Sequence, residues 1–183
     1  MWLMIVLTLF SQGLSHLDVI YSETTPQVYD WDCALACGKT ILRWADVEPR
    51  DNILKNIIQP NRPISFRHLV DYFQGHGLAV TGYKISWPQL RNFLNANHGS
   101  PIIAHLDEGN GHFVIVIGLA NGGVIVSDPA HGVHVTPEAD FCQSWSGNIL
   151  FFPELNGSTA ALTASAKAVG RCELLQGMRL LRP

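Results

Sequence analysis

From Cys33 onward the apolar residues recur at helical spacing. Leu35, Cys37/Gly38, Ile41, Leu42 and Ala45 follow one another at three- and four-residue intervals and so share one helix face. Asp32 stands at the N-cap position, and the helix is expected to end near Asp46, ahead of Pro49. Asn52 to Ile58 predicts a second short helix, closed by "QPNRP". A third is predicted over Ser65 to Gly75, capped by Ser65, with Phe66, Leu69, Val70 and Phe73 on one side.

Past this point the pattern turns to strands. "LAVTGYKI" reads as β, and "SWPQLRNFLNAN" as a helical turn with Pro88 suited to its start. "SPIIAHL" is a strand, and "GNG" a tight turn into "HFVIVIGLA". "NGG", set between "IVIGLA" and "VIVSDPA", is a strong hairpin signal. "HGVHVTP" supplies a further turn and strand, and "DFCQSWSGNILFF" a short helix and a closing strand, with Trp145 expected in the core. Helices precede strands, which predicts an α+β fold with N-terminal helices packed on a C-terminal antiparallel sheet. Residues 17–153 form the expected domain, and the Ala/Leu/Ser-rich residues 154–183 an appended helical tail.

Ahead of the domain, Trp2 to Phe10 is an unbroken apolar run, too short to span a bilayer and of signal-peptide length. Ser11 and Gly13 give a tolerable cleavage context, although the first basic residue is Lys39. Residues 1–16 are therefore expected to be a signal peptide or membrane anchor, giving an exported (periplasmic or secreted) or membrane-attached protein. The alternative is a buried N-terminal strand of a cytoplasmic one. Export would favour disulfides, and Cys142 with Cys172 is the pair that could bond without consuming Cys33 or Cys37.

Hydrophobic residues make up 47% of the 183, charged residues 15%, and the net charge is −3. This is enough apolar content for one well-packed domain and excludes a disordered polar chain. No basic stripe points to a nucleic acid partner. The eight histidines are more than so compact a chain needs, and His68 and His76 flank an amphipathic helix where they read as solvated.

The chemistry centres on Cys33. Only a thiolate attacks, and an ordinary thiol with a pKa of about 8.5 is mostly protonated at neutral pH. A helix N-terminus favours the thiolate through its free N–H groups and the positive end of its dipole. Asp32 would oppose this unless its carboxylate is turned onto backbone donors. His112 opens the strand "HFVIVIGLA", and Asp128 ends the next strand of the same hairpin. Antiparallel pairing brings the two together, so Asp128 can orient His112 as a base. Gln27, six residues before Cys33, can offer an amide donor to an oxyanion beside the Cys33 N–H. His105 is a rival base but has only Asp107 nearby. Cys37, one turn beyond Cys33, reads as a buried structural thiol. Cys33, Cys37, His131 and His134 could in principle hold zinc, but Cys-x3-Cys within a helix is an unusual zinc motif, and neither metal nor cofactor is expected.

"QVYDWDCALAC", "GHFVIVIG" and "VSDPAHG" together resemble the motifs of the C39 peptidases, papain-like cysteine proteases that process bacteriocin precursors. The resemblance runs from about Pro26 to Pro153 and includes "LVDYFQGHGLAV" and "DFCQSWSGNILFF". It implies Cys33 as nucleophile, His112 as base, Asp128 as the orienting acid and Gln27 in the oxyanion hole, with a peptide or protein substrate. Ala34 departs from the family's usual glycine. With no long apolar span and no GxxxxGK[ST], the chain is expected to be a stand-alone member whose substrate need not be a double-glycine leader. Two alternatives are a silent module that binds a leader peptide and a guanylyl-cyclase-like protein sharing "WDC" and "LAC". The latter lacks support from any phosphate-cradling loop.

Overall fold

The computed structural model describes residues 23–50, 64–120 and 122–180. The apolar run Trp2–Phe10 and the helix expected over Asn52–Ile58 lie outside them. Helix α1 (Cys33–Trp44) buries Cys37, Gly38, Ile41 and Leu42 of the predicted face, with Cys33 and Trp44 beside them, while Leu35 and Ala45 are only partly covered. It stops in a Schellman turn: Val47 N–H reaches Leu42 O (2.9 Å) and Asp46 N–H reaches Arg43 O (3.2 Å). The turn requires the left-handed region, and Asp46 takes it at φ 57°. Helix α2 (Phe66–Gly75) opens with a reciprocal cap, in which Ser65 Oγ accepts from His68 N–H and His68 Nδ1 accepts from Ser65 N–H. Its buried face is Leu69, Tyr72 and Phe73, while Phe66 and Val70 are only partly covered.

One histidine differs from expectation here. His68 is engaged in the cap but stays at the surface. His76 is buried rather than solvated: its Nδ1 lies 2.8 Å from Tyr72 O, and its Nε2 accepts from Arg50 N–H at 2.9 Å. Those partners fix a neutral ring with the proton on Nδ1.

The remaining elements are β1 (Thr81–Lys84), α3 (Trp87–Ala96), β2 (Ile102–Leu106), β3 (His112–Ala120), β4 (Gly123–Asp128), β5 (Gly132–Pro137), α4 (Glu138–Ser144), β6 (Trp145–Phe151), a 3₁₀ turn at Pro153–Leu155 and α5 (Thr159–Leu180). The strands form one antiparallel sheet in the order β1-β6-β2-β3-β4-β5. Ala120 pairs with Gly123, which makes the β3–β4 connection a two-residue turn, with Gly122 at φ 83°.

Helices cover both faces of this sheet. Phe113, Ile115, Ile117, Ile125 and Val133 pack under α1, α2 and α5. Val114, Val116, Val124 and Val126 face the other way, onto Leu90 and Leu94 of α3 and Phe141 of α4. Burial on both sides explains why "FVIVI" and "VIV" are continuously apolar rather than alternating. Trp145 packs against Trp87 and Phe141 on the α3 side. The expected Cys142–Cys172 bond is contradicted. Cys142 and Cys172 are not bonded to each other, and α4 and α5 lie on opposite faces of the sheet. Their spacing in sequence carried no information about that separation.

Candidate active site

The loop before α1 is stitched to the end of β4. Gln27 N–H donates to Pro129 O (3.0 Å), and the Thr24 and Ser127 hydroxyls are 2.6 Å apart. Asp32 sits at the N-cap but makes no side-chain cap bond. Its carboxylate instead accepts from the N–H groups of Val28 (3.1 and 3.2 Å) and Tyr29 (3.1 Å). Asp32 thus holds the expected N-cap position without capping through its side chain, and its carboxylate is turned onto backbone donors. The loop's donors take up its charge, and no side chain caps the first turn of α1, which holds Cys33.

Cys33 is 5% exposed. The β3–β4 ladder pairs Ile115 with Ser127, so the start of β3 and the end of β4 come together at one end of the hairpin, where His112 and Asp128 stand. His112 Nε2 lies 2.8 Å from Asp128 Oδ1, and the ring's second partner is the Cys33 side chain. Burial opposes charging of His112, but the hydrogen bonds to Asp128 and Cys33 outweigh it, and its pKa is raised to about 10. Burial likewise opposes ionisation of Asp128. The hydrogen bond and charge of His112, with help from His131 and the Ala130 N–H, overcome it and lower the pKa to about 2.

The sequence reading did not include His131 in this group. Its Nδ1 lies 2.9 Å from Asp128 Oδ2, while Ala130 N–H donates to Oδ1 at 2.7 Å. The signal was the three-residue offset in "DPAH", which lets a turn fold its histidine back onto the acid. Cys37 is fully buried and donates its S–H to Phe113 O (3.3 Å); burial, then the neighbouring Cys33 and Asp128, hold its pKa well above the ordinary thiol value. Among the described residues no group of three or more His, Cys, Asp or Glu is placed to hold a metal, so Cys33, Cys37, His131 and His134 do not assemble into one.

A cleft of about 470 Å³ opens beside Cys33, lined by Trp31, Ala34, Ile64, Phe66, His105 and Phe113. His105 therefore shares the cleft. Its Nδ1 is 3.4 Å from Asp107 Oδ1 but makes no hydrogen bond, so no acid orients it as Asp128 orients His112. Gly111, at φ 90°, lets the chain pass His105, since a Cβ there would stand 2.6 Å from the ring's Nε2. Gln27 bonds through Nε2 to Tyr29 O (3.3 Å), and its buried Oε1 has no partner. The Gln27 amide donor is thus engaged within the loop before Cys33.

A buried thiol at a helix start, a histidine held by an acid, and an antiparallel sheet behind them define the papain-like class of fold. Residues 22–156 match the model of the peptidase C39 family, and the chain belongs to that family. No curated protein matches it. Among solved structures it is similar to a double-glycine-motif protease from an AMS/PCAT transporter, determined in complex with the leader peptide. That likeness has 21% identity, 70% of this chain and 89% of the other covered, and a TM-score of 0.60. The peptidase domain of Streptococcus ComA, a bifunctional ABC transporter, is similar at 19% identity, 70% and 95% coverage and a TM-score of 0.62. The N-terminal C39-like domain of a toxin-secretion ATP-binding protein from Vibrio parahaemolyticus is 13% identical, with 66% and 94% covered and a TM-score of 0.54. At these identities the likeness is one of fold. Among the described residues no helix is long and apolar enough to cross a membrane.

Proposed function

We propose that the protein is a cysteine endopeptidase that cleaves a peptide or leader sequence. The observation carrying this reading is His112, joined to Asp128 at 2.8 Å and facing the Cys33 side chain with the rest of its ring. In the proposed cycle the Cys33 sulfur attacks the scissile carbonyl, and His112 delivers a proton to the departing amine as the C–N bond breaks. Water, deprotonated by His112, then hydrolyses the thioester and returns the free thiol. Asp128 holds the imidazole in position throughout. The Cys33 N–H and a swung Gln27 amide stabilise the oxyanion, because the Gln27 donor must leave Tyr29 O to reach it.

The leader peptide bound by one structural relative supports a peptide occupant for the cleft beside Cys33. Export or membrane attachment through residues 1–16 is part of the proposal, and N-terminal sequencing that finds Met1 intact in a soluble cytoplasmic protein would overturn it. The engaged Gln27 amide favours a second reading, a module that binds such a peptide without cutting it.

Incubating purified protein with a peptide library, beside Cys33→Ala and His112→Ala, separates the two. Cleavage lost in both variants is expected, and Gln27→Ala should lower turnover by about 10²-fold. Cleavage persisting in Cys33→Ala would sink the mechanism. Peptide binding without cleavage by the unaltered protein would establish the silent module instead.

A further inference from the structure

Phe66, His105 and Phe113 line the cleft of about 470 Å³ beside Cys33 and hold one another in place. Phe66 and His105 both meet the Phe113 ring edge to face, with centroids 5.0 and 4.9 Å away, and they tilt against each other at 5.9 Å. All three separations fall in the range where aromatic pairs attract. The rings come from three elements. Phe66 opens α2, where the Ser65–His68 cap fixes the first turn, His105 belongs to β2, and Phe113 to β3. Trp31 lines the same cleft from the loop before Cys33. Its ring stacks on Tyr29 at 5.4 Å with 4° between the planes, and the Tyr29 N–H is tied to Asp32. The aromatic lining is therefore built in advance, and little freedom is lost when a partner arrives.

Trp31, Phe66 and His105 are only partly buried, which leaves ring surface for an occupant to cover. Apolar surface continues along the loop. Among the described residues the exposed large apolar side chains are Val28 (75%), Tyr29 (59%) and Tyr83 (49%), and two of these three stand just before Cys33. Apolar surface gathered at one place marks contact with another molecule. A double-glycine substrate, the motif named for one structural relative, has no side chain to cover these rings. A bulky apolar side chain does, and its burial there is favourable. An extended peptide advances about 3.4 Å per residue, so a side chain seated beside Cys33 belongs to a residue within about two of the scissile bond.

We propose that the cleft beside Cys33 is a specificity subsite for a large aromatic or aliphatic side chain of the substrate, such as Phe or Leu, seated on Trp31, Phe66, His105 and Phe113. This rests on the peptidase reading and adds to it the side chain that is selected. One arm of the test titrates the unaltered protein with N-acetylphenylalanine amide, and separately with N-acetylglycine amide, followed by NMR of the backbone amides. With the phenylalanine amide, shifts should cluster at Trp31, Phe66, His105 and Gly111, and the glycine amide should bind at least about tenfold more weakly. The other arm digests a random peptide mixture and maps the cuts by mass spectrometry. Bonds with Phe or Leu within two residues should be cut about ten- to a hundredfold faster than bonds with glycine there. Phe66→Ala should shrink that Phe-to-Gly ratio roughly two- to tenfold, the worth of one aromatic pair. A ratio taken within one variant is insensitive to loss of folded protein, which slows both cleavages alike. Equal binding of the two amides, scattered shifts, cleavage indifferent to Phe and Gly, or an unchanged ratio in Phe66→Ala would each overturn the proposal. Clustered shifts with no peptide cut would uphold the subsite and sink the peptidase reading.

Discussion

Asp32 turns its carboxylate away from the helix it begins and onto the Val28 and Tyr29 N–H groups. A negative charge beside the nucleophile is thereby spent on the loop that carries Gln27. Replacing it with alanine leaves those donors unmatched and should destabilise the fold by about 1.5–3 kcal/mol, the range for bonds to a charged group. Asp32→Asn keeps one acceptor and should cost less; equal midpoints for Asp32→Ala and the unaltered protein in thermal unfolding would refute this. His112 and Asp128 set a pH dependence whose sign follows from their shifts. The raised His112 value means that its contribution to stability is complete below its ordinary 6.5 and is lost as pH rises through about 10. The lowered Asp128 value means a contribution complete above 3.8 and lost as pH falls toward about 2. Their pairing should therefore stabilise most between about pH 4 and 6.5 and fade above. NMR titration of the His112 ring should give a midpoint near 10 in the intact protein. Asp128→Asn, lacking the carboxylate, should bring it down by more than ~1 unit. An unmoved midpoint would mean that Asp128 is not what charges His112.

Between elements, a close approach is found at Gly38 of α1. A Cβ there would stand 2.9 Å from Tyr72 Cε1 and 3.2 Å from its Cδ1, both on α2. Gly38→Ala gains up to about 1 kcal/mol in helix propensity but must push a buried ring aside, at about 1–3 kcal/mol for overpacking. A lower midpoint in chemical denaturation is expected, and a raised one would show that α2 yields freely. This contact also marks what the sequence could tell. The helical spacing from Leu35 to Ala45 revealed α1 because it depends on near neighbours, and "NGG" revealed the β3–β4 hairpin for the same reason. That hairpin brought His112 and Asp128 within reach of each other from sequence alone. The insertion of β6 between β1 and β2 was not legible, since no short-range signal names a strand's partner. Nor was the burial of His76, whose Nε2 is matched by a backbone donor from Arg50, 26 residues away. Asp32 looked like a cap because residue type and position agree; the competing donors at Val28 and Tyr29 appear only when the loop is folded.

For the whole molecule, α5 is the element that closes the sheet. It seats Ala161, Ser165, Ala168 and Cys172 on the face shared with α1, and these small side chains let the helix lie close to the strands. Arg171 Nη2 reaches Glu23 Oε1 at 3.2 Å, next to Thr24, whose hydroxyl meets Ser127 beside Asp128. The helix thus braces both the sheet and the loop that leads to Cys33. Ending the chain at Asn156 would uncover Ile117, Ile125 and Val133, which are now 3% exposed or less. Each such side chain is worth about 1.5–3 kcal/mol when fully buried. The shortened protein should therefore unfold at a markedly lower temperature and bind a dye specific for exposed apolar surface. Arg171→Ala removes only the tie to Glu23, a partly exposed pair, and should lower the midpoint far less. If the shortened chain kept the full midpoint and bound no dye, α5 would be an ornament on a sheet already closed without it.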